Sequence, residues 1–130
     1  MPSILRLLRL TVVALTTLVM SGAAVAQQPI KAGDTLTGTL RLVRTVHPNG
    51  TPIEAYQIVS EPRAMPTNDE FCDYDRGAAT FHLFTMTDAA KRQLKPLLGR
   101  KISVTAAALF CSETAWHIGD VAVPDWTLQK

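Results

Sequence analysis

Three histidines, one acidic run and two cysteines carry most of the chemistry open to this chain. His82 and His117 fall where they can meet across a fold. With a carboxylate beside them they would suit zinc, which accepts imidazole nitrogen and carboxylate oxygen. The plainer reading makes them partly exposed strand residues and makes His47 part of a His47-Pro48-Asn49-Gly50 turn. The run from Asn68 to Asp75 holds Asp69, Glu70, Asp73 and Asp75, hard oxygen donors of the type calcium prefers. It lacks the ligand spacing and the glycine of an EF-hand loop, and a solvated loop is the simpler account. Cys72 and Cys111 form no C-x-x-C motif and are too few for a zinc cage. No G-x-S-x-G occurs, and Ser60, Ser103 and Ser112 sit in no motif that pairs them with a base. Paired carboxylates need only spatial proximity. A small metal-dependent or carboxylate-based enzyme therefore stays as the alternative to a non-catalytic binding or inhibitory module. No motif calls for a cofactor.

The positive signal is aromatic. Tyr56, His82, Phe84, Trp116 and His117 fall on expected strands that can border one another. Such rings give large contact area for little lost rotamer freedom, which suits recognition of a protein, peptide or oligosaccharide. The basic residues Lys91, Arg92, Lys95, Arg100 and Lys101 gather elsewhere, around an expected helix. The ring-bearing surface is thus not basic, and nucleic acid is not the expected partner.

Positioning these residues requires strands. Asp34–Thr45 reads as the first, with Leu36, Gly38, Leu40 and Leu42 on one face; Gly38 signals a bulge or tight bend. Ile53–Ser60 is the second, with Tyr56 and Ile58 opposed to Ala55, Gln57 and Val59. A polar connection, Glu61–Gly77, leads to a third strand, Thr80–Thr85, with Phe81 and Leu83 opposed to His82 and Phe84. Thr87 or Asp88 caps a short helix with Ala90 and Leu94 on its apolar stripe, and Pro96 limits it to about two turns. After Gly99, Ile102, Val104, Ala106, Ala108 and Phe110 alternate along a fourth strand. Cys111–Thr114 supplies a turn, and Ala115–Val123 returns as the fifth strand, ended by Pro124. Trp126 is expected to fold back over an open end of the core. Three strands, a helix and two strands make an all-β domain with one short helix, a small OB-like five-stranded barrel. A generic α+β domain is the alternative.

The first 26 residues are expected to lie outside this domain. Arg6 and Arg9 precede an apolar run from Leu10 to Met20, and Ala24-Val25-Ala26 is an A-x-A cleavage site. The expected organisation is a signal peptide, 1–26, and one barrel domain, 27–130, periplasmic or secreted, with no membrane anchor after cleavage. An uncleaved anchor or a buried N-terminal helix is the alternative. The whole chain has 13 Lys and Arg against 11 Asp and Glu; removal of Arg6 and Arg9 leaves 11 of each, a neutral domain. In an exported chain two cysteines most simply form one disulfide, Cys72–Cys111.

Gly38-Thr39-Leu40, Tyr56-Gln57-Ile58-Val59 with Pro62, Leu98-Gly99-Arg100-Lys101-Ile102-Ser103-Val104-Thr105, Leu109-Phe110 and Thr114-Ala115-Trp116-His117 together resemble a family of bacterial exported domains of unknown function. Its pattern is roughly L-G-K-K-[VI]-x-V-x-G-x-L-F, then a Thr and one or more His before a final strand. Ala106 stands where that pattern prefers Gly, which removes a bulge signal, and Trp116 stands where a second His often appears. The resemblance implies export and an OB-like barrel, and no activity.

Overall fold

Alternation in the strands commits one face of each to a common interior. The computed structural model describes residues 28–66, 70–73 and 75–130. The expected signal peptide, and Asn68, Asp69 and Tyr74 of the acidic run, lie outside the described residues. In order come β1 (Thr35–Val46), β2 (Pro52–Arg63), β3 (Ala78–Leu83), α1 (Asp88–Leu94), a 3-10 turn (Lys95–Leu97), β4 (Lys101–Cys111) and β5 (Val121–Leu128). The strands close into a barrel in the order β1-β2-β3-β5-β4. The β3–β5 seam is parallel and the other pairings are antiparallel. This is the expected all-β, OB-like five-stranded barrel with one short helix.

Leu36, Leu40, Ile58, Phe81, Leu83, Val104, Val121 and Val123 fill the interior. Ile30 and Met65 join them from outside the strands, Ile30 through a backbone bond from its N–H to the Ala64 carbonyl. Gly38 does not mark a bulge. β1 passes through it with no register shift against β4. It lies at the handover, where Thr35–Thr39 pair with β4 and Thr39–Val46 pair with β2. A Cβ there would overlap the Val59 carbonyl oxygen and stand 2.7 Å from Ile58 Cγ2. The glycine permits close backbone approach.

The helix is as short as Pro96 demands. Thr87 Oγ1 accepts from the Ala90 N–H at 3.1 Å, Asp88 occupies the first turn, and Leu94 is fully buried. The chain then returns to β1 through Gly99 N–H to Leu40 O, 2.8 Å, and Leu40 N–H to Arg100 O, 2.9 Å.

Two expectations about the C-terminal strands are corrected. Alternation in β4 holds for Ile102, Val104 and Ala106, then breaks at register shifts on either side of Ala108. Cys111 is buried in place of Phe110, which turns half outward. The irregularity arises without the glycine that would have signalled it. The fifth strand does not start at Ala115 or stop at Pro124. Residues 112–120 form a connection, and β5 begins at Val121. Pro124 pairs with no β4 residue: Ala122 faces Phe110 and Asp125 faces Ala108. The proline falls at an irregularity that needs no donor, so the strand passes through it. Trp126 packs against the core, and its Nε1 donates to the Phe84 carbonyl at 2.9 Å. Cys72 and Cys111 are joined, with Cα atoms 5.3 Å apart.

Candidate ligand-binding face

The outer face of the β2–β3 pair is set by register. Gln57 opposes His82 and Tyr56 opposes Leu83, so Gln57 and His82 leave the barrel interior together. Sequence alternation makes that face solvent-exposed, yet Gln57 is 3 % exposed and His82 9 %. The 112–120 connection lies across it. Ile118 supplies both bonds: its carbonyl accepts from Gln57 Nε2, and its N–H donates to His82 Nδ1 at 3.0 Å. Arg41 Nε donates to the remaining amide oxygen of Gln57 at 2.9 Å. The buried amide is thereby satisfied, as it must be.

The ends of the connection are held separately. Asp120 Oδ2 accepts from the N–H groups of Ala79 and Thr80, at 2.9 and 3.2 Å. The Ser112 hydroxyl donates to the Gly119 carbonyl. Within the connection, His117 Nδ1 accepts from the Glu113 N–H at 3.0 Å.

These anchors bring rings into one neighbourhood. His82 and Phe84 have centroids 4.8 Å apart, Phe84 and His117 5.8 Å, and Phe110 meets His117 edge-on at 5.1 Å. Beside them Trp116 stacks on His47 at 3.8 Å with 19° between planes, joining the β1–β2 turn to the β4–β5 connection. Trp116 remains 45 % exposed. Burial, then the charge of His117, pushes the His82 pKa down from 6.5 to about 4. At neutral pH its proton therefore resides on Nε2, leaving Nδ1 as the acceptor Ile118 uses.

Of the five ring residues singled out in the sequence, His82, Phe84 and His117 meet ring to ring, and Trp116 stands one residue before His117 with its own ring on His47. Tyr56 takes part in neither. It is 7 % exposed and belongs to the core, because strand alternation puts it on the face opposite His82. His47, Phe110 and Gln57 join the site and were missed. The β4 irregularity that re-aims Phe110 has no local signal, and a stack between positions 47 and 116 has no periodicity.

Among the described residues no group of three or more His, Cys, Asp or Glu could hold an ion. His82 and His117 each commit Nδ1 to backbone donors. In the acidic run Asp73 is also engaged: Oδ1 accepts from the Asp75 and Arg76 N–H groups and Oδ2 from Arg76 Nε. The Arg76 backbone bond leads in holding its carboxyl below the ordinary value. No protein-family model, curated protein or solved structure matches this chain.

Proposed function

We propose that the protein is an exported, non-catalytic binding module that recognises an oligosaccharide, or a protein or peptide, through the ring-bearing face of β2–β3 and its two flanking loops. One observation carries this reading: an exposed indole held flat on His47, one residue before the His117 that packs against Phe84. An exposed apolar patch rimmed by polar residues marks an interaction site. OB-type barrels bind oligosaccharides and oligonucleotides on the strand 2–3 face between the loops joining strands 1–2 and 4–5. Here those loops meet through the His47–Trp116 stack. A neutral mature domain favours an uncharged ligand over nucleic acid. Export rests on the basic-then-apolar leader with Ala24-Val25-Ala26 and on a disulfide of the type that persists in oxidising compartments. The suggested kinship to bacterial exported domains agrees with it.

The test is titration calorimetry with a panel of neutral oligosaccharides and short peptides on wild type and on a Trp116→Ala variant, with wild-type tryptophan emission as a second readout. A binding member of the panel should perturb wild-type emission. The substitution should weaken that binding by more than about 1 kcal/mol and leave thermal stability nearly unchanged. Undiminished affinity in Trp116→Ala would remove this face from the proposal. Mass spectrometry of exported material should show Gln27, or its pyroglutamate, as the first residue; retention of Met1 would sink the export claim.

A further inference from the structure

A second recess lies on the other side of β2. The β1–β2 hairpin runs on past the residues that pair with β4, and its inner face there is not closed by a strand. α1 stands opposite instead. Between them is a groove of about 550 Å³. Leu42 and Tyr56 from the hairpin and Leu98 from the turn after the helix line it. The Tyr56 hydroxyl makes no hydrogen bond to any described residue, although the ring is almost wholly buried.

Charge on the groove is one-sided. Arg44 and Glu54, a cross-strand pair on the hairpin, satisfy each other at 3.1 Å. On the helix side Lys91, Arg92 and Lys95 line the same recess and make no side-chain hydrogen bond or ion pair with any described residue. Asp88 is the single carboxylate on that side. Basic residues late in a helix suit its dipole, which accounts for their presence in the last turn. It does not account for three unpaired cations and a tyrosine lining the same apolar recess. A volume of this size lies within the range of small-molecule sites, which combine an apolar lining with a few convergent polar groups.

We infer that this groove is a second binding site, independent of the ring-bearing face, for a small carboxylate on a compact apolar body. The apolar body displaces water from Leu42, Leu98 and the tyrosine ring. The carboxylate takes hydrogen bonds from the helix cations and the Tyr56 hydroxyl. A phosphate lacking the apolar body gains only exposed ion pairs, which contribute little and are screened by salt.

The experiment is NMR titration of the isotope-labelled protein with three probes: phenylacetate, its neutral analogue 2-phenylethanol, and inorganic phosphate. Phenylacetate should shift the backbone signals of Leu42, Tyr56, Leu98 and the 91–95 segment saturably. The neutral analogue and phosphate should bind about tenfold more weakly or not at all, since a charge-assisted hydrogen bond is worth about one decade of affinity. Lys91→Gln with Lys95→Gln, both exposed and free of structural bonds, should lower phenylacetate affinity by a similar factor with the spectrum otherwise unchanged. Tyr56→Phe should weaken it while preserving the fold. Equal binding of the neutral analogue, equal binding of phosphate, or shifts scattered over all surface lysines would each overturn the inference, as would absence of any saturable shift.

Discussion

Acidification should loosen the barrel through His82 before it affects most other groups. The neutral imidazole accepts the Ile118 N–H on Nδ1, and a proton added at Nδ1 sets two donors against each other. The folded pKa is pushed down to about 4, from an unfolded value of 6.5. A depressed histidine stabilises the fold fully above the unfolded pKa, and that stability is lost as pH falls through the window from 6.5 to about 4. One unit is worth about 1.4 kcal/mol, so moving from pH 7 to pH 5 should cost about 2 kcal/mol through this residue. The comparison is urea unfolding of wild type and His82→Asn at both pH values. Asparagine keeps an acceptor oxygen near the position of Nδ1 and cannot titrate. Carboxylates contribute equally to both proteins and cancel. The stability gap between wild type and variant should therefore shift by about 2 kcal/mol in favour of the variant at the lower pH. Parallel pH profiles would refute both the burial argument and the Ile118–His82 clamp.

The remaining expectations concern the scaffold. Replacing Cys72 and Cys111 together by serine should lower stability by about 4 kcal/mol in the chain-entropy model, read as a midpoint shift in denaturant, and reductant should reproduce the loss in wild type. Gly38→Ala should cost about 1–3 kcal/mol through overlap with the Val59 carbonyl, seen as a lower melting temperature. Tyr56→Ala should cost about 3 kcal/mol by core truncation, whereas Trp116→Ala should cost well under 1; equal losses would contradict the assigned burial.

The strand plan was legible because β1, β3 and the first half of β4 alternate cleanly, and because Thr87 and Pro96 bracket the helix. The disulfide followed from there being two cysteines. What could not be read was the covering of the β2–β3 outer face. Alternation reports which side a residue faces and says nothing of what lies on that side, so Gln57 and His82 looked exposed. Pro124 misled for a related reason: a proline forbids a ladder donor, and whether the ladder needs one there depends on an irregularity in the partner strand. Tyr56 was grouped with the wrong rings although its own alternation with Ile58 placed it inward. Ile30 stands alone in a polar lead-in, with no periodic neighbour to mark it as core.

The parallel seam between β3 and β5 has a consequence for the order of events at birth. The strand that closes the barrel is the last of the five to be made, and its parallel pairing with β3 spans the short Phe81–Leu83 stretch. Until β5 emerges, β3 and β4 present bare edges, and the 112–120 connection that covers the Gln57–His82 face is anchored at one end only. A nascent chain in that condition is a template for pairing with its neighbours. Delayed folding, with the chain kept extended until synthesis has passed β5, is therefore favoured by the strand order, and it is the regime that the proposed export would impose.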